Sequence, residues 1–455
     1  MDASAVISIE ASDRKKLRKN VIQIAWPAVT ELILISLFGA IDMIMVGRLG
    51  AAAITSVGLV NQPIFLIMAV FQALNIGGAA VVSRGIGSKK YSDANSATRH
   101  LIIITGMLSI VIIFPAIFTV AGIYRFMGAE YEVISIGLNY FKIVLVSVIF
   151  QNIALSIASV LRASGDTKTP MIINVVSNII NVLMNYLLIF GRMGLPELGV
   201  TGAGIGTFLS RVLAFVLLTY LLCSSKGDIK LKLKEIFHWD IKTIKKIVRI
   251  GMPSAMEQFV LRSGNLIFVR VVSGLGTAVY AAHQISVSVL SLSFTSGMAF
   301  GMAASTLIGQ SLGAEKRTLA EEYGKETRHL GSIIATIIGV IFFIFSKQIA
   351  GLFSNDIEVI QNTSGVLKVI ALIQPFQSSQ LILAGALRGA GDTKWPLYST
   401  IAGIWGIRIT VAYVLVVGFK LGLMGAWLGI CVDQILRYFI LFWRFKGGHW
   451  KYVKI

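Results

Sequence analysis

The sequence contains few charged residues and few cysteines. Only 14% of its 455 residues are charged, with 41 basic residues against 22 acidic ones. Two cysteines, Cys223 and Cys431, are too few for a disulfide framework or a four-ligand zinc site. The five histidines lack the spacing of a zinc hydrolase, and no glycine-rich loop of the type that holds ATP phosphates occurs. We therefore predict neither an enzyme nor an ATP-driven pump.

Long apolar segments dominate the chain instead. Hydrophobic residues make up 55% of the sequence, and its mean hydropathy of +0.79 lies outside the range of soluble domains. Twelve apolar runs are long enough to cross a hydrocarbon core of about 30 Å. Because the backbone must satisfy its own hydrogen bonds in lipid, these runs favour helices. The predicted fold is an all-α membrane protein with twelve transmembrane helices.

The chain is internally duplicated. Leu161–Lys168 reads Leu-Arg-Ala-Ser-Gly-Asp-Thr-Lys, and Leu387–Lys394 reads Leu-Arg-Gly-Ala-Gly-Asp-Thr-Lys, 226 residues later. Other pairs share this offset, among them Pro27 with Pro253 and Glu31 with Glu257. Each half contains six predicted spans, an even number, so both halves enter the membrane from the same side. This pattern predicts two pseudo-symmetric six-helix lobes built as parallel repeats.

Each eight-residue motif lies between two predicted helices. Its glycine suits the end of one helix, and its aspartate suits the cap of the next, so a structural role is the simpler interpretation. A second hypothesis gives Arg162 and Arg388 a role in a cytoplasmic gate, where they pair with acidic residues when the inner mouth closes.

Basic residues are concentrated in alternate connections, and this set includes both termini. The positive-inside rule therefore predicts a multi-pass protein of the cell membrane, inner or plasma, with both termini in the cytoplasm. We predict a cytoplasmic arm at 1–20, lobes at 21–222 and 247–446, a cytoplasmic linker at 223–246 and a cytoplasmic tail at 447–455. We expect a monomer surrounded by lipid. No basic face with interleaved aromatics lies outside the predicted spans, which argues against nucleic acid as a partner.

Two acidic residues stand in the first predicted span. Glu31 and Asp42 are 11 residues apart, so they lie within about 20° of each other around a helix and about 16 Å apart along it. Ionisable groups inside a membrane are costly and functional by default. Their shared face should point into the lobe or into a cleft. An alternative for Asp42 is that it reaches the outer interface, because it lies near the end of the span.

Polar residues of the fifth and sixth predicted spans fall at the depth of Asp42. Asn181 and Asn185 are one turn apart near the outer end of the fifth span, and Thr207 lies in the outer half of the sixth. One carboxylate with amide and hydroxyl oxygens can hold Na⁺, or can bind a proton. The competing interpretation is ordinary interhelical hydrogen bonding by Asn and Thr.

Taken together, several stretches resemble the multidrug and toxic compound extrusion (MATE) family over essentially the whole chain. They are Ile41–Gly50, Leu198–Ala203, Ala281–Gln284 and the two eight-residue repeats. The resemblance implies two lobes that exchange access, and export of small cationic amphipathic drugs or toxic compounds in exchange for Na⁺ or H⁺. It implies no cofactor other than that coupling ion.

The resemblance also assigns the coupling-ion site. The family's carboxylate near the outer end of the first helix matches Asp42, its fifth-helix amide pattern matches Asn181 and Asn185, and its sixth-helix threonine matches Thr207. The same four residues would hold Na⁺ if Na⁺ is the coupling ion. Some members carry Asp where this chain has Asn185, so the site here has one negative charge fewer.

The second half departs from one branch of the family, which has acids where this chain has Leu261 and Gln377. The resemblance therefore does not imply a second ion site there. We assign four residues to the substrate cleft or to gating: Glu31, Glu257, His283 and Gln284. A packing role for the histidine is an equally open interpretation.

A lipid-linked oligosaccharide flippase of related architecture is the alternative function. Such a protein should have a more basic cleft for pyrophosphate. A passive channel is disfavoured, because the sequence contains no filter-like segment.

Overall fold

The computed structural model describes residues 11–224, 229–230 and 239–455, without the side chains of 11–13. These residues are almost entirely helical and include no β-strand. The all-α prediction is therefore confirmed. The predicted cytoplasmic arm 1–20 and linker 223–246 fall partly outside the described residues, namely at 1–10, 225–228 and 231–238.

The first half forms six long helices and one short helix in its described part. They are α1 (Ala11–Gly47), α2 (Ala51–Gly87), α3 (Tyr91–Phe118), the short α4 (Val120–Phe126), α5 (Tyr131–Ser164), α6 (Lys168–Ile189) and α7 (Gly199–Ser224).

The second half repeats this order. Its described helices are α8 (Ile241–Ser273), α9 (Thr277–Gly313), α10 (Arg317–Ile344), the short α11 (Ser346–Gly351), α12 (Ile357–Gly389), α13 (Lys394–Gly418) and α14 (Gly422–Lys446). A short 3₁₀ turn, His449–Tyr452, follows. Two stretches of α13 are π-helical, Ile401–Arg408 and Val414–Gly418.

Matching lengths and turns confirm the internal repeat. The helices α2 and α9 each have 37 residues, and α3 and α10 each have 28. Both α2 and α9 are preceded by a glycine with φ of 106°, Gly50 or Gly276. Only glycine adopts this conformation without strain, which explains why the sequence repeats it at the same offset.

Eleven helices among the described residues are long and apolar enough to cross a membrane. The helix missing from that set is α8. Its 33 residues are sufficient in length, but it carries Glu257, Arg262 and Arg270. We count it as the twelfth span, because ionisable residues within a span mark function rather than exclude insertion.

The described residues pack into two compact units, and their boundaries differ from the predicted lobes. The N-terminal unit is Thr30–Ala255 together with Ile455, and the C-terminal unit is α1 as far as Val29 together with Met256–Lys454. The helices α1 and α8 are therefore each divided between the two units. The prediction placed all of α1 after residue 20 in the first lobe and all of α8 after residue 246 in the second.

A proline precedes each point of division. Pro27 in α1 and Pro253 in α8 each remove one backbone hydrogen bond, which allows the helix to bend there. Before the first proline, Leu17 and Val21 pack into the core of the C-terminal unit. Before the second, Ile247 packs into the core of the N-terminal unit. The apolar residues of each leading segment thus find their partners in the other repeat.

The start of α8 is fixed by a cap within the N-terminal unit. Asp240 Oδ1 accepts from Lys242 N–H at 2.9 Å, and Thr243 Oγ1 donates to Asp240 Oδ2 at 2.5 Å. The Thr243 hydroxyl, together with the backbone amides of Lys242 and Thr243, holds the pKa of Asp240 below its usual range. Asp240 N–H also donates to His100 Nε2 at 2.8 Å, which ties this helix start to α3.

Close backbone contact between α9 and α12 gives a test of the packing. A Cβ at Gly385 would lie 2.2 Å from the Gly301 carbonyl oxygen. We expect Gly385→Ala to lower the free energy of unfolding by about 1–3 kcal/mol, because both helices would have to separate. Thermal unfolding of the purified protein measures this. Gly58→Ala in α2 is the control, since nothing lies within 4 Å of its Cβ position. Equal unfolding temperatures for Gly385→Ala and the unmodified protein would contradict the packing.

Candidate functional site

The polar residues predicted around Asp42 meet within the N-terminal unit. Asn185 Nδ2 donates to Asp42 Oδ1 at 3.0 Å. The Asn181 amide, with its nitrogen towards the carboxylate, donates to the two Asp42 oxygens at 3.1 and 2.9 Å. In that orientation its oxygen accepts from Thr207 N–H at 3.2 Å. All four predicted residues therefore belong to one cluster.

Local helix geometry explains this arrangement. Asn181 and Asn185 lie one turn apart on α6, and both are buried, with 4% and 1% of their surface exposed. Gly206 lets α7 approach α6, because a Cβ at that position would lie 2.1 Å from Asn185 Oδ1. The Thr207 hydroxyl donates to the Ala203 carbonyl one turn earlier, at 2.9 Å, so its lone pairs remain available.

The chemistry of the cluster suits reversible cation binding. Amide N–H groups that donate to Asp42 stabilise its ionised form. If an amide rotates by 180°, it presents its oxygen instead, and carboxylate, amide and hydroxyl oxygens are ligands for a hard cation. A proton on Asp42 would likewise weaken the amide contacts. Either ion would change the hydrogen bonds that connect α1 to α6.

Sequence reasoning gave no role in this site to Arg211. It follows Thr207 by one turn of α7, and its Nη1 donates to Ser147 Oγ at 2.7 Å. Its guanidinium interacts electrostatically with Asp42 and Tyr140. The carboxylate therefore has a cation of the protein itself nearby. The spacing of four residues from Thr207 was the signal that could have identified it.

The equivalent place in the C-terminal unit is apolar. The residue 226 positions after Asp42 is Phe268, and the residue at that offset from Asn185 is Val411. The ring centroids of Phe268 and His283 are 5.8 Å apart, and those of His283 and Trp427 are 5.7 Å apart. This part of the second repeat is thus packed with aromatic side chains rather than with oxygen ligands.

His283 and Gln284, predicted for the cleft or gate, occupy different surroundings. His283 is 3% exposed among the aromatic rings of the C-terminal unit, a position that favours packing. Gln284 is exposed and donates to Tyr280 Oη at 3.1 Å, one turn earlier on the same helix. Neither residue joins a charged cluster in the part of the chain that the structure describes.

Glu31 is buried and paired within the N-terminal unit. Arg162 Nη1 lies 3.2 and 3.3 Å from its two oxygens, and Asn174 Nδ2 donates to Oε1 at 2.5 Å. Glu31 is 5% exposed. It follows Pro27 by one turn, where α1 leaves the C-terminal unit.

The C-terminal unit repeats this arrangement around Glu257. Arg388 Nη2 lies 2.7 and 2.8 Å from its two oxygens, and Thr400 Oγ1 donates to Oε1 at 3.3 Å. The acid and the arginine are separated by 131 residues in both units. Arg162 and Arg388 thus each pair with an acid inside one unit, and their role in a cytoplasmic gate stays a prediction.

Known proteins are similar to the chain along its whole length. The family model described as MatE matches residues 27–187 and 253–414, one segment in each half. The "Probable multidrug resistance protein NorM" of Thermotoga maritima is 31% identical over 436 residues, 96% of this chain and 94% of that protein. The "Uncharacterized transporter YisQ" of Bacillus subtilis is 25% identical, with 95% and 94% covered.

Solved structures agree in fold. A point mutant of the Vibrio cholerae MATE transporter VcmN superposes with a TM-score of 0.89 at 19% identity, covering 96% of this chain and 98% of that one. At this identity the likeness concerns the fold alone. With the family model matched in both halves and a relative above 30% identity over nearly the full length, this chain belongs to the MatE family and is a multi-pass MATE transporter rather than an enzyme.

Proposed function

We propose that the protein is a secondary active antiporter that exports cationic amphipathic drugs or toxic compounds in exchange for Na⁺ or H⁺. The observation that carries this proposal is the half-buried carboxylate of Asp42, contacted by Asn181 and Asn185 in the N-terminal unit. The name of the Thermotoga maritima relative, a multidrug resistance protein, supports efflux as the activity. The same proposal places the protein in the cell membrane with both termini in the cytoplasm.

In this mechanism ion binding and drug binding act on one conformational equilibrium. When the transporter opens outward, Asp42 takes up Na⁺ or a proton, and its amide contacts to α6 rearrange. The rearranged unit binds the cationic drug less tightly, so the drug leaves. An ion gradient drives export only if the ion and the drug favour different states.

The two buried acids of the repeat are proposed to control lobe closure or substrate access. Glu31 and Glu257 are fixed by Arg162 and Arg388 one turn after the prolines of α1 and α8. The place where each proline allows the helix to bend therefore lies next to an anchored residue. His283 and Gln284 remain predictions for the cleft, with the packing role favoured for the histidine.

Asp42→Asn tests the coupling role directly. The amide of Asn takes up no proton and has no negative charge to hold Na⁺, so gradient-driven efflux should be lost while membrane insertion and folding persist. The measurement is dye efflux from proteoliposomes with Na⁺ and proton gradients imposed separately, and the gradient that drives the unmodified protein identifies the ion. Asp356→Asn is the matched control, because Asp356 caps α12 and Asn caps a helix equally well. Full efflux by Asp42→Asn would refute the role of Asp42.

Arg211→Met tests the electrostatic effect of the neighbouring cation. Removing a positive charge near Asp42 favours binding of any cation there. We expect half-maximal efflux at a coupling-ion concentration lower by about tenfold. Arg211→Lys keeps the charge and should shift this concentration less. An unchanged concentration dependence in Arg211→Met would show that the guanidinium does not act on the site.

The Glu31–Arg162 pair tests the buried anchor. Arg162→Gln leaves a buried carboxylate without its cation and should lower the free energy of unfolding by about 3 kcal/mol. The double variant Glu31→Gln with Arg162→Gln removes both charges and should recover most of that stability. Thermal unfolding measures both. If the double variant is no more stable than the single one, then the charge on Glu31 is not what Arg162 compensates.

A further inference from the structure

The C-terminal unit contains a buried ion pair that the repeat does not share. Arg408 Nε and Nη2 both donate to Asp433 Oδ2, at 2.9 and 2.5 Å, and Arg408 Nη1 donates to Asn265 Oδ1 at 2.8 Å. Arg408 is 7% exposed and Asp433 is fully buried. At the repeat offset of 226, the positions of Arg408 and Asn265 correspond to Val182 and Gly39. This cluster is therefore a feature of the second half alone.

The backbone is adapted to this cluster. The π-helical stretch Ile401–Arg408 of α13 ends at the arginine of the pair. Within it, Gly403 leaves space for α14, because a Cβ there would lie 2.1 Å from Asp433 Oδ1 and 2.5 Å from Arg437 Cγ. Single π-helical turns within α-helices are common at functional sites.

A second arginine extends the cluster to Glu257. Arg437 Nη2 donates to Thr400 Oγ1 at 2.9 Å, and Thr400 Oγ1 donates to Glu257 Oε1. Arg437 thus interacts electrostatically with the carboxylates of Asp433 and Glu257. It also interacts with the guanidinium groups of Arg408 and Arg388. In this cluster of described residues, three cations stand against two anions.

The surplus charge belongs to a buried side chain with unused hydrogen-bonding capacity. Arg437 is 5% exposed, and its Nε has no hydrogen-bond partner among the described residues. Its two neighbouring carboxylates are each already hydrogen-bonded to another arginine, Asp433 to Arg408 and Glu257 to Arg388, and an excess of buried positive charge is unfavourable. The N-terminal unit differs, because the half-buried carboxylate of Asp42 and the buried carboxylate of Glu31 each have one arginine nearby.

We propose that Arg437 binds a small monovalent anionic group in the C-terminal unit. The positive charges of Arg408 and Arg388 favour this binding. One surplus charge calls for one negative charge, and a guanidinium donates well to a halide or a carboxylate. Arg388 keeps 21% of its side-chain surface exposed, so the cluster can be reached from that end. The group is either a free halide ion or the carboxylate of an amphipathic substrate.

Binding can be measured without transport, so this inference stands or falls separately from the proposed antiport. The unfolding temperature of the purified protein is followed while chloride replaces the bulky MES anion at constant ionic strength, with acetate as a second titrant. A ligand that binds only the folded state raises this temperature in a saturable way. We expect a rise of about 2 °C or more with at least one of the two anions.

Three variants assign any rise to this site. Arg437→Gln should abolish the response, and Arg437→Lys should retain part of it. Arg444→Gln is the matched control on the same helix, because Arg444 is already paired with Asp392 at 2.7 Å, and it should respond like the unmodified protein. If Arg437→Gln does not fold, anomalous scattering from crystals grown in bromide decides, with a peak expected beside Arg437 Nε.

A transport assay distinguishes the two sources of the anion. A zwitterionic amphipathic substrate is compared with its methyl ester in the unmodified protein and in Arg437→Gln. If the unmodified protein prefers the acid and Arg437→Gln does not, then the bound group is the carboxylate of the substrate. If chloride stabilises the protein but the acid is not preferred, then the bound group is the free halide ion. The proposal is overturned if neither anion stabilises the unmodified protein, if Arg437→Gln keeps the response, or if chloride stabilises the protein but bromide is absent from the cluster.

Discussion

In a chain that crosses the membrane, each buried charge must be matched by groups of the protein or by a bound ion, because water and lipid headgroups are out of reach. This constraint accounts for the positions of the polar residues described above. Asp42 is contacted by two amides, and Glu31 and Glu257 are each contacted by an arginine. In each case the partners come from a different helix. The buried charges therefore also fix which helices are neighbours.

The duplicated halves satisfy this constraint in two ways. Close to the eight-residue motifs, the halves agree: acid and arginine are paired at the same separation in both units. Further along the helices they diverge, because Asp42 corresponds to Phe268, and Val182 corresponds to Arg408. Packing of the repeat is thus preserved where α1 and α8 pass between units. The chemistry differs further along the helices, because one unit has a carboxylate contacted by neutral amides and the other has a buried ion pair.

Much of this organisation could be predicted from the sequence. Span lengths and the repeated motif were sufficient for the helical fold and its duplication, and helix depth placed Asn181, Asn185 and Thr207 near Asp42. The division of α1 and α8 between units could not be predicted, because a proline permits a bend without specifying which core the leading segment joins. The ion pair between Arg408 and Asp433 also could not be predicted. Two charges 25 residues apart on separate helices reveal their pairing only when the helices are packed.

Charge balance is the reason why we propose ion exchange in the N-terminal unit and not in the C-terminal unit. Asp42 is contacted by neutral amides, which can rotate from donor to acceptor, and its nearest cation, Arg211, is also bonded to Ser147. The net charge of this site can therefore change by one without breaking a bidentate ion pair. Asp433 is bound by two donors of Arg408 in a fully buried position, so a cation that displaced Arg408 would leave a guanidinium unpaired in a medium that solvates it poorly. The first arrangement suits an ion that enters and leaves in each cycle, whereas the second suits a permanent scaffold of charge.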